Sequence, residues 1–199
     1  PEIARVKSWP VREVNGWIFI WHHVEGLEPS WSIPIAEEVE RSTWVYRGRT
    51  EHYVNAHIEE IPENGADVVH LKQVHGPIVT AGSDLRTMWN KRWAFAEHHW
   101  TAAWEQMTEP DGHIGLMKLT HDISVFGFVL PLLNFKVMAR QIGPAIVYLE
   151  FDSFFGRGMF MQMVTPQAPL VQKVVQNIFA TRWMPAAIAK FYLMSEALQ

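Results

Sequence analysis

One short run carries the residues best suited to chemistry: Asn64-Gly-Ala-Asp67-Val-Val-His70-Leu-Lys-Gln-Val-His75. An aspartate stands three residues before one histidine and eight before another. Imidazole and carboxylate are ligands that a divalent iron takes from protein, and two histidines with one carboxylate on one face of the metal leave open positions for dioxygen. An aspartate just behind a metal-bound histidine is also a common outer partner, setting the ring's tautomer and orientation. The chain holds ten histidines, so the spacing alone leaves two readings open. One is a non-haem iron site; the other is a polar helix end that carries two histidines.

The elements that must position this run are partly legible. Pro62 and Glu63 suit the first turn of a helix, where proline wastes no N–H and an acid complements the dipole. Gly76-Pro77 marks its stop, so the pattern predicts helix through His75. Asp67 and His70, three apart, share a face. His70 and His75, five apart, lie roughly 140° apart on a straight α-helix. They converge on one metal only if the helix is bent or bulged, as helices often are at functional sites.

Elsewhere the text is mostly strand. Residues 17–21 form a continuous apolar run of strand length, and 42–46 and 51–55 are further short candidates. From 99 onward the segments 99–107, 114–125, 134–141, 145–151 and 159–164 read as strands. Pro110-Asp111-Gly112 and Phe155-Gly156-Arg157-Gly158 mark their turns. Helix is expected over 170–181 and, after Pro185, over 186–198. Strands in succession followed by closing helices predict an α+β fold, an antiparallel β-sheet with helices on one face.

Composition excludes several classes. The 199 residues (23.0 kDa) are enough for one domain with a real core. Hydrophobic residues at 48% and charged residues at 19% exclude a disordered chain. Net charge is −4 with pI near 6.2 and no basic block, so nucleic-acid binding has no electrostatic support. The longest apolar stretch, 123–135, is interrupted by Gly127 and Pro131 and is too short to span a membrane. The opening residues lack the pattern of a signal peptide.

The stretch Asn55-Ala-His-Ile-Glu59-Glu60-Ile-Pro-Glu63-Asn64-Gly-Ala-Asp67-Val-Val-His70, continuing through His75-Gly-Pro, resembles the catalytic domain of Rieske-type non-haem iron oxygenases. Within them it is most similar to the Neverland-type cholesterol 7-desaturases, relatives of the bacterial ketosteroid hydroxylases. Gly16-Trp-Ile-Phe-Ile-Trp21 resembles the strand that closes a Rieske domain. Gln141-Ile-Gly-Pro-Ala-Ile-Val-Tyr-Leu149 resembles a sheet strand of the steroid-acting members.

The resemblance implies a helix-grip (START-like) fold and a set of roles. His70 and His75 become ligands of a mononuclear Fe(II). Asp67 becomes a catalytic group that hydrogen-bonds a histidine ligand and bridges toward the Rieske cluster of a neighbouring subunit. Asn64 matches a polar position near the iron, although a helix-start polar residue is an equally plain reading of it. Glu59, Glu60 and Glu63 read as a solvated or subunit-facing acidic surface.

Further expectations follow from the same resemblance. They are a sterol substrate, cholesterol to 7-dehydrocholesterol in the first place, dioxygen, and electrons from NAD(P)H through a reductase. A homotrimer is implied, as is association with the endoplasmic reticulum membrane through a segment outside this chain. A [2Fe–2S] Rieske cluster needs two cysteines and two histidines, and the chain has no cysteine. Residues 1–35 are therefore expected to be connecting strands from an upstream Rieske domain, with 36–199 as the iron domain.

The sequence departs from the family at the third ligand. The family supplies an aspartate from a C-terminal helix, shortly after a stretch resembling Ala189-Lys-Phe-Tyr-Leu-Met-Ser-Glu196-Ala-Leu-Gln199, and no aspartate follows Asp152 here. The ligand is expected just beyond Gln199. Asp152 is expected to face solvent, and Glu196 matches a position before the ligand.

The paired histidines His22-His23 and His98-His99 cannot chelate from a strand, because neighbouring side chains point to opposite faces. His52, His57, His113 and His121 carry no partner spacing. Phe126, Phe128 and Met138 are candidates to line an apolar pocket facing the helices. Two rival readings are a helix-grip lipid-binding module without chemistry and a zinc hydrolase, the latter needing a third close ligand and a general base.

Overall fold

The computed structural model describes residues 6, 8–69, 79–80, 83–84, 96–131 and 134–198. The chain divides into two units, Pro1–Trp44 and Val45–Gln199.

In the first unit Val11–Val14 (β1) and Trp17–Ile20 (β2) pair antiparallel with Val14 opposite Trp17. The two-residue loop is Asn15-Gly16, both at positive φ (55° and 73°), the conformation that a tight hairpin demands and that Asn-Gly supplies most readily. Asn15 is also the anchor of the unit. It is buried, its Nδ2 donates to the Pro34 carbonyl at 3.0 Å, and its Oδ1 accepts from the Ala36 amide at 2.8 Å. That pins the hairpin to the start of a one-turn helix, Glu37–Glu40 (α1).

The second unit is built on one sheet. Its strands are Trp44–Val54 (β3), Ala96–Gln106 (β6), Ile114–Val125 (β7), Phe128–Val129 (β8), Phe135–Ile142 (β9), Ile146–Ser153 (β10), Gly156–Ala168 (β11) and Val171–Thr181 (β12). The order is β3-β12-β11-β10-β9-β7-β6, with β8 paired to β7. Val79–Thr80 (β4) and Ser83–Asp84 (β5) form a separate pair. Among the described residues its helices include Glu60–Ala66 (α2) and Ala186–Leu198 (α3). From β6 to β12 the sheet is an antiparallel meander, and β3 returns to lie beside the last strand. The α+β expectation holds. Ile114–Val125 and Ala186–Leu198 fall where the text places them.

Three expectations need correction. Residues 170–181, expected as helix, are strand β12. Gln172, Val174, Gln176, Ile178 and Ala180 are buried at every second position, a period of two that belongs to a strand. Two glutamines on the inner face hide the alternation from a hydrophobicity count. The candidates at 42–46 and 51–55 fall on one continuous strand, β3, which begins at Trp44 and ends at Val54. Gly48 in its middle reads as a break, but a Cβ there would stand 3.0 Å from Leu193 Cδ2, so this glycine makes room for α3. Finally, the β10–β11 turn is Phe154-Phe155, with Ser153 opposite Gly156 at φ +129°, and Arg157 and Gly158 are already strand.

Register defines the face that meets the helices. Leu119, Val137, Phe151, Gly158 and Ala180 stand side by side across five strands. The next row is Met117, Ala139, Leu149, Phe160 and Ile178, and the next Gly115, Gln141, Val147, Gln162 and Gln176. Residues two apart along a strand share one face, so all three rows do. On the first two rows α3 is seated: Ala189 and Leu193, with Ile188 and Tyr192 beside them, pack on Phe151, Phe160, Ile178 and Ala180. These helix positions recur at i, i+1, i+4 and i+5, the stripe of a core-facing helix. Phe151 stacks on Phe135 at 5.3 Å and meets Tyr192 edge-on at 5.6 Å.

Among the described residues no helix is long and apolar enough to cross a membrane.

Candidate functional site

Helix α2 precedes the Asp-x2-His-x4-His run, so its placement decides where Asp67 stands. The helix is short because Asp67 leaves it. Its backbone adopts φ −77°, ψ 81°, and its amide closes the last turn on the Glu63 carbonyl at 3.0 Å. Its Oδ1 accepts from the Val69 amide at 3.1 Å. An aspartate that bonds the backbone two residues on offers the chain an alternative to helix. The helix expected through His75 is interrupted at Asp67, Val68 and Val69 are again helical, and its part from 70 to 75 lies outside the described residues. The distortion falls inside the motif, and the face expected to be shared by Asp67 and His70 lies outside the described residues, as His70 does.

Asn64 and Asp67 are both exposed, as are Glu59, Glu60 and Glu63. His70 and His75 lie outside the described residues. Among the described residues no three His, Cys, Asp or Glu side chains come together as a metal site. The donor types that the motif carries suit iron. Asp152 is exposed, as expected. Glu196 is half-buried, and burial pushes its carboxyl above the ordinary carboxylate range. A Rieske cluster does not fit this chain, because it has no cysteine.

What holds α2 is polar. The helix contains no fully buried residue. Gln141 of β9 reaches it from the sheet, Nε2 donating to the Pro62 carbonyl at 2.6 Å. The Gln141 Oε1 accepts from the Trp104 indole N–H at 3.3 Å. Before α2, Gln172 Nε2 donates to the Ala56 carbonyl at 3.0 Å. Between Gln141 and Gln172 the same face carries Gln176, donating to Gln162 Oε1 at 2.9 Å. An open groove of about 370 Å³ runs beside this end, lined by Pro62, Trp104, Gln106, His113, Gln141 and Pro144 among others.

Other expected site residues separate. Met138 pairs with Glu150, so it sits on the face opposite the helices and does not line a pocket under them. Phe126 and Phe128 stand at the exposed β7–β8 turn, 74% and 75% accessible. Their positions reflect strand parity and turn placement, which hydrophobicity does not encode. His99 contacts Ser124 Oγ at 2.8 Å, and His121 stacks on Trp100 at 4.0 Å; both have structural roles. His57 is exposed, 3.9 Å from the Glu59 carboxylate. Gln141 was singled out only within a resembling stretch, and Trp104 and Gln172 carried no signal at all. A glutamine or tryptophan in a strand looks like any other until the partner across the face is known.

The C-terminal domain family of 3-ketosteroid 9α-hydroxylases matches residues 20–190. The chain belongs to that family. It is a Rieske-type oxygenase catalytic domain. It is 47% identical over 200 residues to the cholesterol 7-desaturase of Xenopus laevis, covering 100% of this chain and 44% of that protein. It is 41% identical over 203 residues to the cholesterol 7-desaturase of Caenorhabditis elegans, covering 100% of this chain and 47% of the relative. It is also 36% identical over 78 residues to the oxygenase component of the 3-ketosteroid-9-alpha-monooxygenase of Rhodococcus rhodochrous, covering 38% of this chain and 21% of that protein. The chain spans about half the length of the curated relatives it matches. Among solved structures, dicamba monooxygenase bound to 3,6-dichlorosalicylic acid shares the fold at TM-score 0.57 and 11% identity, over 95% of this chain and 55% of that one.

Proposed function

We propose that this chain is the iron-bearing part of a Rieske oxygenase that acts on a sterol, with 7,8-desaturation of cholesterol as its reaction. The observation that carries this is 47% identity over the whole chain to a protein named for that reaction. In this reading residues 1–35 lead in from a Rieske domain, and 36–199 form a helix-grip catalytic domain. The seating of α3 across an antiparallel sheet supports that arrangement.

His70 and His75 would hold Fe(II) together with an aspartate beyond Gln199. When bound, such an iron supplies the activation of dioxygen at positions left open by a facial ligand set. Asp67, exposed at the end of α2, would orient a histidine ligand and face the electron donor of a neighbouring subunit. Asn64, one turn earlier and also exposed, would contribute a polar contact at the same edge. NAD(P)H with a reductase would supply electrons, a homotrimer would bring the donor within reach, and a segment elsewhere would associate with the endoplasmic reticulum membrane.

Hydroxylation is the second reading, supported by the ketosteroid hydroxylase family match. One experiment separates the two: the full-length protein is supplied with a reductase, NAD(P)H and cholesterol, and products are weighed by mass spectrometry. Loss of two hydrogens supports desaturation, whereas gain of one oxygen supports hydroxylation. Sterol binding with no product, unchanged in His70→Ala and His75→Ala, would replace both with a lipid-binding module.

A further inference from the structure

The α2 segment is short, exposed on one side and lacks a buried anchor, yet it must present Asp67 at a fixed place. Its attachment to the sheet comes through side-chain amides. Gln141 stands in β9 opposite Gly115 of β7 and Val147 of β10. Its amide is used at both ends, donating to Pro62 of α2 and accepting from Trp104 of β6. Glycines clear the space on either side. A Cβ on Gly65 would stand 2.6 Å from Gln141 Nε2, and a Cβ on Gly115 would stand 3.0 Å from both Trp104 Nε1 and Cζ2. A side chain at 65 would push the amide off the helix, and one at 115 would push the indole off the amide. A second glutamine, Gln172, holds the Ala56 carbonyl on the approach to α2.

We infer that Gln141 is a positioning residue for α2 and for Asp67 at its end, the start of the proposed metal motif, with Trp104 orienting its amide and Gln172 holding the preceding segment. The inference rests on the reading of His70 and His75 as iron ligands. It goes beyond that reading by assigning the placement of α2 and of Asp67 at its end to a side chain far along the sequence. A primary amide suits the task because it both donates and accepts from one planar group. Orientation by Trp104 then decides which end faces Pro62. A displacement of about 1 Å in a site can cost about a hundredfold in rate, so a helix held at few points makes each point matter.

The test uses the full-length protein. Amide hydrogen exchange is followed in the iron-free form, and the spectrum of the nitric oxide adduct is recorded by electron paramagnetic resonance in the ferrous form. Gln141→Leu is expected to speed exchange over residues 60–67 by roughly tenfold, the loss of about one well-placed hydrogen bond. Exchange in β10–β12 stays unchanged, and the rhombicity of the adduct signal shifts. Gln141→Lys keeps a donor toward Pro62 and is expected to recover most of the protection. Trp104→Phe removes only the indole N–H and gives a smaller effect, about threefold; it serves if Gln141→Leu does not fold.

Unchanged exchange over 60–67 overturns the inference, as does an increase spread evenly over the sheet. Local loosening with an unaltered adduct signal shows attachment without positioning, and also overturns it. Failure of the wild type to bind iron would defeat the reading in the preceding section, and is seen separately from the exchange result.

Discussion

Among the described residues, helices α2 and α3 meet one face of one sheet, and they are held there by different means. Helix α3 lies on apolar rows, with Phe151, Phe160, Ile178, Ala180, Ala189 and Leu193 all buried. Each large side chain fully removed from water there contributes about 1.5–3 kcal/mol. Helix α2 lies near the polar row of Gln141, Gln162 and Gln176 and has no buried residue of its own. Hydrogen bonds that replace bonds to water contribute only about 0.5–1.5 kcal/mol each. The difference teaches a division of labour. The apolar rows stabilise the fold, and the polar row gives direction to a segment that opens locally at much lower cost.

The comparison breaks most directly at Phe151. Phe151→Ala is expected to cost about 3–5 kcal/mol in urea unfolding, since the ring touches Phe135, Phe160 and Tyr192. A loss below about 1 kcal/mol would mean that the α3 seat is not the stabilising region. Gly158→Ala probes the same seat from beneath. Its Cβ would lie 2.4 Å from Phe151 Cζ and 2.5 Å from the Phe179 backbone oxygen, and overpacking of this kind costs about 1–3 kcal/mol. A lowered urea midpoint checks it.

At the other region the expectation reverses. Asp67→Asn is expected to lower turnover of the full-length protein about 10–100-fold while leaving the melting temperature alone, because Asp67 is exposed. Equal turnover would remove Asp67 from the proposed mechanism.

The smallest effect is electrostatic and sharpens the picture of α3. Burial holds the Glu196 carboxyl above its ordinary value, so the folded state binds that proton more tightly than the unfolded chain. The resulting stabilisation is complete below the unfolded carboxylate value and is lost as pH rises through the folded one. At neutral pH the cost of burying that carboxyl burdens the helix, and a negative charge in the last turn would oppose the helix dipole. Glu196→Gln is expected to raise the melting temperature at pH about 7 and to make no difference near pH about 3. A pH-independent gain would place the effect in packing.

Much of the fold was legible because it is local. Val125 ends β7 where Phe126 and Gly127 take positive φ of 52° and 77°. The α3 helix starts where Pro185 permits it, its carbonyl receiving the Ile188 and Ala189 amides at 3.0 and 3.1 Å. The hairpin at Asn15-Gly16 carries an equally strong local signal, since both residues tolerate the positive φ that a two-residue turn requires. Strand β12 was misread because its glutamines are polar by type and buried by place. Residues 47–50 of β3 looked like a break for the same reason. Arg47 is spent on the Arg182 carbonyl at 2.7 Å, and Gly48 accommodates Leu193. The candidate site was legible only at the Asp-x2-His-x4-His run, where spacing within a few residues is itself the signal.

The sequence by itself determined the donor types at Asp67, His70 and His75, the lack of thiols for a cluster, and the succession of strands closing on a final helix. These are matters of residue chemistry and short-range geometry, which travel with the chain. Only the tertiary structure decided that β12 is a strand beside β3, and that Gln141 reaches Pro62 across 79 positions of sequence. Those depend on which residues register brings to the same face, and strand register is a property of the whole sheet.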